Sequence, residues 1–342
     1  MRKILILSLT LLATVINCAE YYLASGGYNR KSQIWKGPTW TEIKNKSIDS
    51  LLGSQSFAFS PGGKYLAAGF SSGMKVLNTS NWNEVKVLPG NIKRDSVAFS
   101  PDGKYLAVAF YARGVEIWDT ARWTKVEDIK LRYQENSLAF SPDRKYLALG
   151  NDDGIEIRTT SDWTKIKTIE NKSYTYSFAF SPDGKYLALS GDGKIEMWTI
   201  SDWTKKRTIE NKSDIYSLAF SPDSKLLAAG CEKKIQIWDV GSFKEIETDI
   251  EYKGFAKSVA FSPDGKYFSA GSNDEIKIWR TSDWKEIKAI PVRKSGGWIG
   301  SLVFSPLLET KRQRKFKEKR LLRVLEKKKK IDSPDVIIKT QE

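Results

Sequence analysis

The chain has 342 residues and a formal net charge of +15, from 56 Lys and Arg against 41 Asp and Glu. Hydrophobic residues make up 40% and charged residues 28%, a globular composition that argues against global disorder and against a polytopic membrane protein. With no His and two Cys, Ser-His-Asp and Cys-His nucleophile systems and the common zinc sites are excluded, which leaves carboxylates, Lys, Tyr and Arg for any chemistry.

Met1-Arg2-Lys3 is a positive start, and residues 4–16 form an apolar run of 13, too short to span a bilayer comfortably but the right length for the apolar part of a secretory signal. Residues 1–18 are therefore expected to direct export to a periplasmic, cell-surface or secreted location. Val15-Ile16-Asn17-Cys18 loosely resembles a bacterial lipoprotein box, which would make Cys18 an acylated N-terminus. Asn17 stands where that box has a small residue, and the other reading is an ordinary signal peptide with an incidental Cys18. Once the signal is removed Cys231 is the remaining thiol, so no intrachain disulfide is expected.

Residues 19–306 form a repeat. Phe-Ser-Pro recurs with its prolines at Pro61, Pro101, Pro142, Pro182, Pro222, Pro263 and Pro306, spaced 40, 41, 40, 40, 41 and 43 residues apart. A period of this length with four strands per unit is that of propeller blades. In the unit starting at Ser177, Ser177-Phe178-Ala179-Phe180 alternates small and large, as expected of a strand nearest the axis with a different blade on each face. Pro182-Asp183-Gly184 is a tight turn into a second strand at 186–189, and Gly191-Asp192-Gly193 turns the chain into a third at 195–198. Ser201-Asp202 leads into Trp203 and a charged outer strand ending near Ile209.

Six complete units start near Ser56, Ser96, Ser137, Ser177, Ser217 and Ser258 and give 24 strands. Residues 21–24, 33–35 and 40–43 match second, third and outer strands without an inner one, and residues 301–304 match an inner strand with nothing after it. Joined, the fragments make a seventh blade. The expectation is an all-β, seven-bladed propeller with four antiparallel strands per blade, a monomeric ring closed by N-terminal strands plus the last C-terminal strand.

The segment 180–188, FSPDGKYLA, with third strands ending in Trp118-Asp119 and Trp238-Asp239, resembles the WD-repeat β-propellers over residues 21–306. It is also similar to the periplasmic TolB-type propellers. The WD family often places a Gly-His pair before the inner strand, with the His bonded to the Trp through an Asp and a Ser or Thr, and this chain has no His. The Trp-Asp ending becomes Trp35-Lys36, Trp198-Thr199 and Trp279-Arg280, and the Trp is replaced by Leu77 and Arg158 in two units. A Ser three residues before the Phe in all seven inner strands suggests a hydroxyl that partners a buried indole N–H in place of His.

Eleven of the 12 Trp occupy repeat positions, third-strand (35, 118, 198, 238, 279) or outer-strand (40, 82, 123, 163, 203, 284), which points to packing between blades. Trp298 is the exception. It lies in a loop feeding an inner strand, where corresponding loops carry Tyr133, Tyr174, Tyr176, Tyr216 and Phe255, with Arg94 and Lys257 nearby. An aromatic patch with cationic edges at one mouth of the ring fits a protein or peptide partner, and local capping of the inner strands is the plainer reading. Asp152, Asp153, Asp192, Glu232 and Asp274 fall in turns on the same face, where turn chemistry explains them without a glycosidase pair or a calcium site. Asn45, Asn78, Asn171 and Asn211 head sequons that a eukaryotic secretory pathway would glycosylate.

Residues 307–342 leave the repeat and carry 13 Lys and Arg against 6 Asp and Glu, including Lys311, Arg312, Arg314, Lys315 and Lys327, Lys328, Lys329 and Lys330. A solvated or partly helical tail that docks on an anionic membrane or envelope surface is expected, and export makes nucleic acid an unsuitable partner. The composite expectation is an exported, non-enzymatic scaffold that binds a protein or peptide through the loop face and takes no cofactor or metal. The alternative is a propeller hydrolase or lyase with its site at the axial channel mouth.

Overall fold

The computed structural model describes residues 20–308, apart from 28–31, 50, 52, 55, 71, 91, 111–112, 131–136, 152–153, 171–174, 192, 212, 249, 251, 253 and 292–297 and the side chains of 49, 92–96 and 151. The expected signal with Cys18, nearly all of the basic tail, and Tyr133, Tyr174, Asp152, Asp153, Asp192 and Asn171 lie outside the described residues. Residues 21–306 form one compact unit.

Seven four-stranded antiparallel sheets make seven blades, and the inner strands of neighbouring blades pack around a central axis. Strands of 21–42 with Ser301–Phe304 form the first blade; 56–89, 92–129, 137–170, 177–210, 215–246 and 258–291 are the second to seventh. The alternation read from sequence explains why the blades need one another. Among the described residues the apolar core divides into seven clusters, each shared by two blades, such as Ala188, Ile195 and Met197 of the fifth with Leu218, Phe220 and Leu227 of the sixth. No blade can bury both of its faces alone.

At the join, Leu23 faces Phe304 and Gly26 faces Ser301 in antiparallel register. Within a single chain segment, Ser60 N–H donates to the Tyr65 carbonyl at 2.9 Å and Tyr65 N–H donates to Ser60 Oγ at 2.9 Å. Ser305 and Tyr22, from opposite ends of the unit, make the same pair of bonds at 2.8 Å each. The bonds of the Ser-Pro hairpin are thus reproduced where no hairpin connects the strands.

The recurrent Ser of the inner strand does not meet an indole, so that expectation is corrected. Ser177, Ser217, Ser258 and Ser301 Oγ accept from the backbone N–H of Leu218, Val259, Leu302 and Phe57, each on the inner strand of the next blade, at 2.9–3.3 Å. The hydroxyl sits where two inner strands converge, and a bare N–H there would otherwise be buried without a partner. The indole N–H groups of Trp118 and Trp198 instead donate to Glu116 and Glu196, two residues earlier in their own strands, at 3.1 Å. Where Trp is lost, Arg158 Nε makes the equivalent bond to Glu156 at 2.5 Å.

A second correction concerns the outer-strand Trp. Trp40, Trp82, Trp123, Trp163, Trp203 and Trp284, with Phe243 in the remaining blade, occupy the turn before that strand in left-handed backbone conformation, φ 54–61°. This is a costly conformation for a bulky side chain. It is offset by placing the ring edge-on against a Tyr of the preceding blade, as for Trp82 on Tyr22 at 5.1 Å, Trp123 on Tyr65 at 5.4 Å, Trp163 on Tyr105 at 5.3 Å and Trp203 on Tyr146 at 5.1 Å. Trp40 of the first blade meets Tyr267 of the seventh at 5.5 Å and completes the circle.

The Ser-Pro-Asp turns are locked by their own side chains. Ser221 Oγ donates to Asp223 at 2.6 Å, and Asp223 accepts the Lys225 N–H at 3.1 Å. The Ser221 hydroxyl holds the Asp223 carboxyl below the usual carboxylate range; burial opposes this, and the Lys225 N–H and ammonium reinforce it.

Three outcomes are expected. A chain ending at Ile299 loses its cooperative thermal transition, whereas one ending at Leu308 melts as the full chain does; calorimetry decides, and equal transitions would contradict the closure. Ser258→Ala leaves the Leu302 N–H buried without its acceptor and costs about 1–3 kcal/mol in denaturant unfolding, with Trp fluorescence unchanged; altered fluorescence at unchanged stability would restore the indole assignment. Because the folded pKa of Asp223 lies below its unfolded value, its contribution is present above about pH 4 and is lost as pH falls through the folded value. Ser221→Ala should therefore move the Asp223 midpoint, followed by carboxyl NMR, up toward 3.8, and an unmoved midpoint would refute the turn lock.

Candidate functional site

At the interfaces of sixth with seventh and seventh with first blades, the loop that feeds the inner strand is tied by backbone bonds to the turn between second and third strands of the preceding blade. Lys233 N–H donates to the Gly254 carbonyl at 3.0 Å, Ala256 N–H to Cys231 at 3.0 Å, and Ile299 N–H to Ser272 at 3.2 Å. These bonds lie at the rim of the ring opposite the Ser-Pro-Asp turns.

Four of the residues singled out from sequence come together on this rim. Tyr176 and Tyr216 meet edge-on at 6.1 Å, and Tyr216 and Phe255 at 5.9 Å. Lys257 Nζ stands 3.5 Å above the Tyr216 ring and 5.2 Å from that of Phe255. The arc crosses the fifth, sixth and seventh blades. Tyr176 is exposed, and Tyr216, Phe255 and Lys257 are half-buried, so the rings are neither core nor free flags. Burial pushes the Tyr216 hydroxyl above its ordinary value, with the charges of Asp214 and Glu232 adding to the effect. The phenol therefore stays neutral and acts as a hydrogen-bonding and stacking group.

Tyr216 is not a loop residue, as the sequence suggested. It lies inside the inner strand Ile215–Phe220, at a register shift where Ile215 faces Cys231 and Ser217 faces Gly230. The extra residue of a β-bulge has no ladder partner and can project out of the sheet. Arg94 likewise falls in a strand, Ile92–Phe99, and its side chain is outside the described residues. Trp298 stands one blade beyond Phe255, half-buried, with its carbonyl so close to Gly27 that a Cβ there would lie 1.7 Å away.

The acidic turn residues behave as turn residues. Asp274 N–H donates to Ser272 Oγ at 3.1 Å, and Glu232 pairs with Lys233 at 3.4 Å in an exposed position. Among the described residues no group of three His, Cys, Asp or Glu is arranged to hold a metal ion. Cys231 is buried, its thiol pushed up to about 11 by that burial although the Asn211 amide donates to Sγ at 3.3 Å. It is a protonated, shielded thiol at neutral pH, unsuited to nucleophilic attack. Asn211 is thereby engaged inside the fold, and Asn45 and Asn78 accept turn N–H groups two residues on.

At the axis, the inner-strand residues preceding each Phe are Ala58, Ala98, Ala139, Ala179, Ala219 and Ala260, with Val303 in the first blade, all partly exposed. Six of them, Ala58, Ala98, Ala139, Ala179, Ala219 and Val303, pack against the apolar clusters between blades.

Four segments of the chain, 82–119, 163–199, 203–239 and 250–280, match the family model of the WD domain, G-beta repeat. The first three begin at a turn Trp and run through the third strand of the next blade, so the sequence repeat is offset by one strand from the structural one. No curated protein matches the chain significantly. The four repeats, together with seven blades of four antiparallel strands, make the chain a WD-repeat β-propeller.

Proposed function

We propose that the chain is an exported, non-enzymatic scaffold that binds a protein or peptide on the rim built around Tyr176, Tyr216, Phe255 and Lys257. WD-repeat propellers commonly serve as protein-interaction scaffolds. The observation that carries the assignment to this rim is the arc itself: three rings in edge contact, one exposed, with an ammonium 3.5 Å above the middle ring. Aromatic side chains held rigid at low entropy cost, beside a cation, are the groups that dominate binding energy at protein interfaces. The bulge at Tyr216 supports the same reading, since an undisturbed strand would bury or redirect that ring.

A hydrolase or lyase site at the axial mouth would need converging polar groups, and the recurrent inner-strand Ser hydroxyls are used between blades. The scaffold reading is therefore preferred. Export rests on the signal-like residues 1–18, with acylation at Cys18 as a variant. The basic residues 311–330 would add a salt-sensitive contact to an anionic envelope or membrane surface.

Crosslinking and pull-down from intact cells with the full chain test the rim. Tyr176→Ala and Lys257→Ala, singly and together, should reduce partner capture about tenfold or more while leaving the melting temperature unchanged, because neither residue belongs to the apolar core. Capture of the same partners at the same level by the double variant would overturn the assignment.

A further inference from the structure

The face of the ring opposite the aromatic rim carries one Lys per Ser-Pro hairpin. Lys64, Lys104, Lys145, Lys185, Lys225 and Lys266 each stand directly before the second strand of the second to seventh blades, and all six are exposed. Their backbones are pinned on both sides. Each carbonyl accepts an N–H from the turn between third and outer strands of the same blade, at 2.8–3.0 Å. Five of the six N–H groups donate to the Asp of their own hairpin, at 3.0–3.2 Å. The repeat thus fixes six ammonium-bearing side chains at one position around the ring.

The carboxylates of this face are held back against the turns. Asp102, Asp143, Asp183, Asp223 and Asp264 each accept the Ser hydroxyl of their own hairpin at 2.6–2.7 Å. Asp119, Asp162, Asp202, Asp239 and Asp283 likewise accept N–H groups within the outer turns. The side chains of Lys145 and Lys185 are 71% and 72% exposed, against 37% and 33% for Asp143 and Asp183, so the ammonium groups lead into solvent. In the second blade Gly62 stands where the other hairpins have Asp, and in the fourth Arg144 adds a further exposed cation. Between the fourth and fifth hairpins lies a hollow of about 430 Å³, whose lining includes Lys145, Lys185, Asp143, Tyr146, Tyr186 and Ser201.

The propeller unit also begins and ends on this face, where Ser305 and Tyr22 make the hairpin bonds across the join. The sequence that follows Pro306 carries 13 Lys and Arg against 6 Asp and Glu. We propose that this face docks on an anionic lipid bilayer, its six lysines meeting headgroup phosphates, and that the aromatic rim is thereby presented away from the membrane. Each Lys near an anionic surface adds to the attraction, which fades within a Debye length. A ring of them at one position acts together, and the hollow between Lys145 and Lys185 has room for a phosphate group. The inference deepens the tail contact proposed above and rests on it for the choice of surface.

Lysine footprinting of the full chain tests it. Exposed amines are acetylated and read by mass spectrometry, with vesicles of phosphatidylcholine alone or mixed with phosphatidylglycerol. The mixed vesicles should slow acetylation of Lys104, Lys185 and Lys225 about tenfold and leave Lys130, Lys167 and Lys288, on the circumference, unchanged. Equal protection of the two sets, or none, would overturn the proposal. Lys145→Gln, Lys185→Gln and Lys225→Gln together should weaken binding to the mixed vesicles about a hundredfold at unchanged melting temperature. Binding by that variant at the level of the unaltered chain, or an equal loss on Lys130→Gln, Lys167→Gln and Lys288→Gln, would overturn it while leaving the tail contact standing. Conversely, ring protection that survives Lys327→Gln, Lys328→Gln, Lys329→Gln and Lys330→Gln would support the ring and count against the tail. Polyphosphate that protects the ring as strongly as the mixed vesicles would assign the face to a soluble polyanion and overturn the bilayer.

Discussion

A ring of blades has no face that a single blade can bury by itself, and so the fold depends on contacts made between blades. Two of these recur around the circle. Near the axis, a Ser hydroxyl accepts the N–H of the next inner strand. Toward the periphery, an aromatic ring in left-handed conformation lies edge-on against a neighbouring Tyr. Both cross the join: Ser301 meets Phe57, and Trp40 meets Tyr267. The ends of the unit thereby acquire the interactions of an internal blade, and a sheet edge that would otherwise be open is covered.

Within each blade a further device sets the pairing of third and outer strands. Residues nine apart face each other as Glu116 with Lys125, Glu156 with Lys165 and Glu196 with Lys205, and with the signs exchanged as Lys75 with Glu84 and Lys277 with Glu286. In the first and sixth blades an amide takes one place, as Gln33 with Glu42 and Gln236 with Glu245. Such partly exposed pairs contribute no more than about 1 kcal/mol each. Their consistency argues for a role in register, and it explains why Arg158 can stand where a Trp is expected: the carboxylate beside it accepts from either donor.

The number of blades and the order of their strands were legible because the repeat is written in period-two apolar alternation and in Ser-Pro-Asp turns, both of which are local. What was not legible depends on which blade a side chain leans toward. The turn Trp residues read as strand residues because sequence carries no mark of a positive φ at a non-glycine position. The inner Ser read as an indole partner because spacing does not distinguish a neighbour within the blade from one across the interface. Tyr216 read as a loop residue because a bulge leaves no trace in alternation when only one residue is added.

A repeat specifies the ring, and the proposed rim uses a place where the repeat is broken, the bulge at Tyr216. That division holds only if the ring is uniformly secure, the join included. Native-state hydrogen exchange of the full chain tests this most directly, by comparing the Tyr22, Phe57 and Leu302 amides at the join with the Tyr65, Leu218 and Val259 amides inside the ring. The account predicts that both sets exchange only through global unfolding, with matching free energies. Faster exchange confined to the join amides would show that the ends open on their own and would contradict it.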